Sequence, residues 1–244
     1  SCNPYMIHLA LEMGNSRFAY YQSLFGFGKI TGIDLPGETT GIVYGDRMTT
    51  IDAACNSFGQ TINVNMMQMM AAYCSIINGG MLYQPHIVKR IESANGEVVK
   101  EYKANLVRQT ITASTSKLLR RYLKNTVEEG TAKKAGVTGY SVAGKTGTAQ
   151  KGDRKDNKWI ISFIGHAPAE NPKFAIYVVI DEPYGTTGTS GSSADVLTLT
   201  HNILEKLLPY MNVYKDASDE YEDTSSSPDE LTVDGIPAGT ASSN

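Results

Sequence analysis

Few cysteines, little net charge and no long apolar run are the first facts of this sequence, and each removes a class of function. Cys2, Cys55 and Cys74 are the only cysteines, and none falls in a C-x-x-C or Cys/His spacing, so neither a disulfide framework nor a zinc site is indicated. Cys74 lies in an apolar helical run and reads as a small buried hydrophobe. No apolar stretch reaches the ~18–20 residues that span a bilayer, and the chain does not open on a basic segment followed by an apolar one. The total charge is only −3. From Tyr214 onward eight acids face Lys215 alone, and removing that local −7 leaves +4 on the remainder, far short of a nucleic-acid-binding balance.

With 244 residues, 41% of them hydrophobic, the chain can bury a substantial core. Residues 1–213 read as the folded body and 214–244 as an acidic, Ser-rich tail, expected to be flexible because its few apolar residues cannot offset the entropy of ordering.

Within the body, Asn3 and Pro4 suit a helix start, Met6, Leu9, Ala10 and Met13 recur at helical spacing, and Gly14 ends the run. A short helix capped by Ser16 follows, then the punctuated loop Gly32-Ile33-Asp34-Leu35-Pro36-Gly37-Glu38 and a polar stretch to about Gln60 read as irregular. Residues 65–78 are apolar nearly all round and read as a central buried helix, with the methionines as core filler. Ile87 to Glu101 reads as a β-hairpin with a two-residue turn at Asn95-Gly96. A helix capped by Ser114 or Thr115 runs to about Glu129. Three antiparallel strands follow, Tyr140–Gln150, Trp159–Ala167 and Phe174–Asp181, and a last amphipathic helix covers Leu197–Leu208. The fold class is α+β, an antiparallel sheet flanked by helices.

The chemistry concentrates in Gly144-Lys145-Thr146-Gly147-Thr148. Gly139 to Thr146 fits G-x-x-x-x-G-K-[ST], but a phosphate loop needs a buried strand before it and a helix beginning at the Lys-Thr pair. The segment before is basic and glycine-broken, and the segment after cannot start a helix, so a nucleotide-binding reading is set aside. The alternative is a K-T-G strand forming one wall of a Ser/Lys acyl-transfer site.

That alternative expects a serine motif at a helix start, and Ser1-Cys2-Asn3 supplies S-x-N. Together with the Gly32–Glu38 loop, the Gly130-Thr131-Ala132 turn, Gly144–Gln150, Trp159–Pro168 and Val178–Pro183, the chain resembles the transpeptidase domain of class B penicillin-binding proteins over about residues 1 to 210. The resemblance implies a penicillin-binding-protein/serine β-lactamase-like fold and a peptidoglycan D,D-transpeptidase acting through a serine acyl-enzyme. It implies a proton relay through Ser1 and Lys145, a hydrogen bond from Asn3 to the donor peptide, carboxylate contacts from Thr146 and Thr148, and an oxyanion-hole N–H at Thr148. Gly147 would keep the strand edge open to substrate.

The same resemblance places the nucleophile in an S-x-x-K motif upstream of S-x-N. The one S-x-x-K here, Ser114-Thr115-Ser116-Lys117, lies between the other motifs and reads as helix cap plus solvated lysine. The chain as given is therefore expected to lack its nucleophile, to be inactive alone, and to be incomplete on its N-terminal side. Further implied are stem peptides as substrate, β-lactams as ligands of the parent, no metal or organic cofactor, and an extracytoplasmic location with membrane contact only through an upstream anchor. Divisome or elongation proteins would be the parent's partners. Rival readings are a non-catalytic remnant of the same fold, a carboxypeptidase and a β-lactamase.

Overall fold

A computed structural model describes residues 1–183 and 192–217, apart from the side chain of Arg154. Helix α1 (Asn3–Met13) starts with proline in its first turn and ends at Gly14, whose φ of 80° and N–H bond to the Ala10 carbonyl suit a residue without Cβ. Gly14 also opens α2 (Asn15–Leu24), so one glycine turns the chain between two helices. Cys2 occupies the N-cap of α1, which puts Asn3 inside the helix.

The polar stretch read as irregular contains a 3₁₀ turn (Gly45–Arg47) and a helix, α3 (Thr50–Asn56). Thr49 and Asp52 form a reciprocal capping box at its start, the Thr-x-x-Asp signal that the reading of the stretch passed over. Helix α4 (Met66–Ile77) is the expected central helix, capped by Asn65 with Gln68.

Strands β1 (Met81–Gln84), β2 (Arg90–Glu92), β3 (Val98–Glu101) and β4 (Asn105–Gln109) form two small ladders, β1 with β4 and β2 with β3. The β2–β3 hairpin turns through three residues: Ser93 and Glu97 pair, and Gly96 takes φ 85°. This is a type I turn followed by a left-handed residue, which needs one residue more than the two-residue turn expected at Asn95-Gly96. Helix α5 (Ala113–Glu128) is capped by Thr112, two residues before Ser114 and three before Thr115.

The main sheet has order β5-β6-β7, with β5 (Ala143–Lys151), β6 (Lys158–Ala167) and β7 (Phe174–Asp181) antiparallel, as the sequence implies. Pairing runs unbroken from Ala143↔His166 to Lys151↔Lys158. One face carries Ile161, Phe163 and Ala167, all fully buried, against Val127 of α5 and Val196, Leu204 and Leu208 of α6 (Ala194–Tyr210). On the other face His166 meets Tyr73 of α4. Helices thus cover both sides, and β5 lies at an edge of the described sheet.

The chain leaves α6 and returns to the sheet. Asp216 and Ala217 donate their backbone N–H groups to the Gly139 carbonyl. The acidic tail expected over 214–244 lies outside the described residues from 218 onward.

Candidate active site

Lys145 is the third residue of β5, opposite Ile164, and no helix begins at the Lys-Thr pair. The helix N-terminus that a phosphate loop requires is missing there, so the G-x-x-x-x-G-K-[ST] match is a coincidence of letters. The Lys145 ammonium instead donates to Ser1 Oγ at 2.8 Å and to the Thr146 carbonyl at 3.1 Å. Residues 144 positions apart are joined in one site, the lysine from a strand and the serine from the start of α1.

Among the described residues two of the three ammonium donors are used, which leaves one for an anionic or carbonyl group entering from outside. Lys145 is half-buried, and desolvation pulls its pKa below the ordinary lysine value. A lysine so placed exchanges a proton with its hydroxyl partner more readily than an exposed one.

Alternation along β5 sends Lys145 and Gly147 to the face bearing Ile164, Ser162 and His166, while Thr146 and Thr148 register with Phe163 and Ile161. Thr148 is exposed and Thr146 half-buried. Because β5 pairs on one side only among the described strands, an extended peptide can hydrogen-bond along its other side. Asn3, in the first turn of α1, is exposed and makes no side-chain hydrogen bond among the described residues, so its amide is available to a ligand.

Gly147 has a steric reason that the sequence did not disclose: a Cβ there would stand 2.5 Å from Ser162 Oγ, its cross-strand partner. Gly144 has a related one. It pairs with Gly165, and a Cβ on either would press into the Phe163 ring, at 2.3 Å and 2.5 Å. The ring lies against two bare backbones and fixes the strand pair immediately before Lys145.

A residue that sequence reading missed is His166. It is fully buried, its Nε2 donates to the Ala169 carbonyl at 3.1 Å, and its Nδ1 therefore accepts from the Tyr73 hydroxyl at 2.8 Å. Burial holds its pKa down to about 4, so the ring is neutral at pH 7. It ties the end of β6 to α4, next to Ala143 on the strand that carries Lys145.

The Gly32–Glu38 loop is closed on itself and pinned to the body. Glu38 accepts from the Thr31 and Gly32 N–H groups, and Asp34 accepts from those of Ile87 and Val88 at 2.8 and 2.9 Å. Buried Gln68 donates to the carbonyls of Lys29 and Thr40 on either side. These bonds account for the loop's acids structurally: each carboxylate satisfies backbone donors and its pKa is lowered.

Ser114 hydrogen-bonds Thr112 within the cap of α5, and Lys117 is exposed. Among the described residues neither bonds Ser1 or Lys145.

A family model described as the penicillin-binding protein transpeptidase domain matches residues 1–205. The chain belongs to this family. Within it the chain is a class B transpeptidase-domain sequence. It is 41% identical over 218 residues to stage V sporulation protein D of Bacillus subtilis, covering 87% of this chain and 33% of that protein. It is 33% identical over 223 residues to peptidoglycan D,D-transpeptidase FtsI of Escherichia coli, covering 89% and 36%. The fold matches crystalline penicillin-binding protein 3 of Mycobacterium tuberculosis, complexed with aztreonam, with a TM-score of 0.78 and 31% identity over 89% of this chain and 51% of that one. The transpeptidase-domain sequence thus spans about a third of the length of the curated relatives it matches.

Proposed function

We propose that this chain carries the S-x-N and K-T-G walls of a peptidoglycan D,D-transpeptidase that works through a serine acyl-enzyme, with the nucleophilic serine contributed by a segment outside these residues. The observation that carries the reading is the 2.8 Å hydrogen bond from Lys145 to Ser1, which unites the two motifs. A related transpeptidase name is borne by FtsI, and a β-lactam complex by the Mycobacterium protein; both support the reaction class.

In this reading Lys145 and Ser1 pass a proton between the attacking or leaving amine and the base that serves the nucleophile. The third donor of Lys145, with the Thr146 and Thr148 hydroxyls, meets the terminal carboxylate of the stem peptide. The Thr148 N–H contributes to the oxyanion hole, and the Asn3 amide holds the donor peptide backbone. A β-lactam, which presents a carboxylate beside a strained amide, would occupy the same positions. The parent acts on the extracytoplasmic side of the membrane, and no metal or cofactor takes part.

Fluorescent penicillin tests this directly. The chain alone stays unlabelled, and a version extended upstream through the S-x-x-K segment is labelled. An unlabelled extended protein would instead support a non-catalytic remnant.

A further inference from the structure

We infer that Asp216, within the acid-rich C-terminal stretch, is a positioning residue for Lys145: its carboxylate clasps the start of β5 and, through Ser141, the end of β6. The inference rests on Lys145 being a site residue, but not on which acyl acceptor the site serves.

The clasp consists of directed hydrogen bonds. Ser141 N–H donates to Asp216 Oδ1 at 2.7 Å, and Ser141 Oγ donates to Asp216 Oδ2. Ser141 Oγ in turn accepts from the Ala169 N–H at 3.0 Å, two residues past the end of β6. The Ala169 carbonyl accepts from His166 Nε2, and His166 Nδ1 accepts from Tyr73. Every donor points the same way, from α4 across the end of the sheet to a carboxylate in the segment that follows α6. Ser141, Ala169, His166 and Tyr73 are all buried, so each of these polar groups depends on its neighbour for a partner.

Ser141 precedes Ala143, where the β5–β6 ladder begins, and Lys145 is the third residue of that ladder. The clasp therefore grips both strands at the end from which Lys145 projects. Asp216 and Ala217 also donate backbone N–H groups to Gly139, so the carboxylate is held in place from its own main chain. Loosening this end lets β5 shift against β6, admits water around the lysine, and draws Nζ away from Ser1 Oγ.

The lysines of this chain, labelled by incorporation of ¹³C-lysine and titrated by NMR at Cε, report on Lys145 with its ammonium unmodified and without any need for acylation. In the unaltered chain Lys145 titrates below the exposed lysines. Asp216→Ala raises its midpoint toward theirs, and Asp216→Asn, which keeps one acceptor for the Ser141 N–H, raises it less. Removal of 218–244 leaves the midpoint unchanged. Ser141→Ala, which removes only the hydroxyl link, gives the same direction of shift as Asp216→Ala and is decisive if that variant does not fold. An unshifted Lys145 in folded Asp216→Ala or Ser141→Ala overturns the inference, as does an equal shift on removing 218–244 alone. If the Lys145 shift appears while the extended domain fails to bind penicillin, the clasp stands and the transpeptidase reading falls.

Discussion

Lys145 Nζ and Ser1 Oγ lie 2.8 Å apart, although one belongs to the third residue of β5, at an edge of the described sheet, and the other to the residue before a helix N-cap. That contact is the most economical reason for two short motifs so far apart in the chain to occur together. It gives the first prediction. In an upstream-extended domain, Lys145→Ala and Ser1→Ala each lower the β-lactam acylation rate by about 10²–10⁴-fold, the range for losing a positioned acid–base group. Because the two act as a unit, the double variant is scarcely slower than either single one. Stopped-flow acylation kinetics check both statements.

Gly147→Ala places a methyl 2.5 Å from Ser162 Oγ, and overpacking of this kind costs about 1–3 kcal/mol. Ser162→Ala removes the oxygen while its Cβ stays at 3.9 Å, so the double variant regains most of the loss. Denaturant melts of the four proteins measure the coupling.

Phe163 is fully buried between Gly144 and Gly165 and packs in the core beneath α6. Phe163→Ala is expected to cost about 3–5 kcal/mol, enough to unfold a marginal domain, as read by circular dichroism on heating.

His166 makes stability depend on pH. Its pKa is depressed to about 4 when folded and is near 6.5 when unfolded, so the folded state disfavours the proton that the unfolded state accepts. The stability due to the neutral ring is complete above about pH 6.5 and declines as pH falls toward 4, by up to about 1.4 kcal/mol per pH unit. Urea melts from pH 7.5 to 4 show this slope, and His166→Gln reduces it.

Asp34→Ala frees the amides of Ile87 and Val88 from their carboxylate acceptor. Hydrogen exchange at those two amides speeds up, while the thermal midpoint changes little because the side chain is exposed.

The three strands, the central helix and the last helix were legible because strand and helix periods in those segments are strong and uninterrupted, and the structure reproduces them within a few residues. Helix α3 was missed because seven residues carry too little periodicity; only its Thr49/Asp52 box announces it. The antiparallel ladder was foreseen but its register was not, and register alone sets Ser162 beneath Gly147 and Gly165 opposite Gly144. His166 and Asp216 escaped notice for a related reason. A buried histidine and one acid among eight have no local signature; their partners, Tyr73 and Ser141, are 93 and 75 residues away. Motif spacing singled out Lys145 and Ser1, which the structure brings within hydrogen-bond distance, because a motif constrains residue types within a few positions. It could not find the bonds that hold them.

The most direct measurement of the central claim is the mass of the acylated peptide after proteolysis of a penicillin-treated, upstream-extended domain. The adduct is predicted on a serine N-terminal to Ser1, with its yield abolished or strongly reduced by Lys145→Ala. An adduct on Ser114, or one whose formation is indifferent to Lys145, would contradict the assignment of Ser1 and Lys145 to one acyl-transfer site.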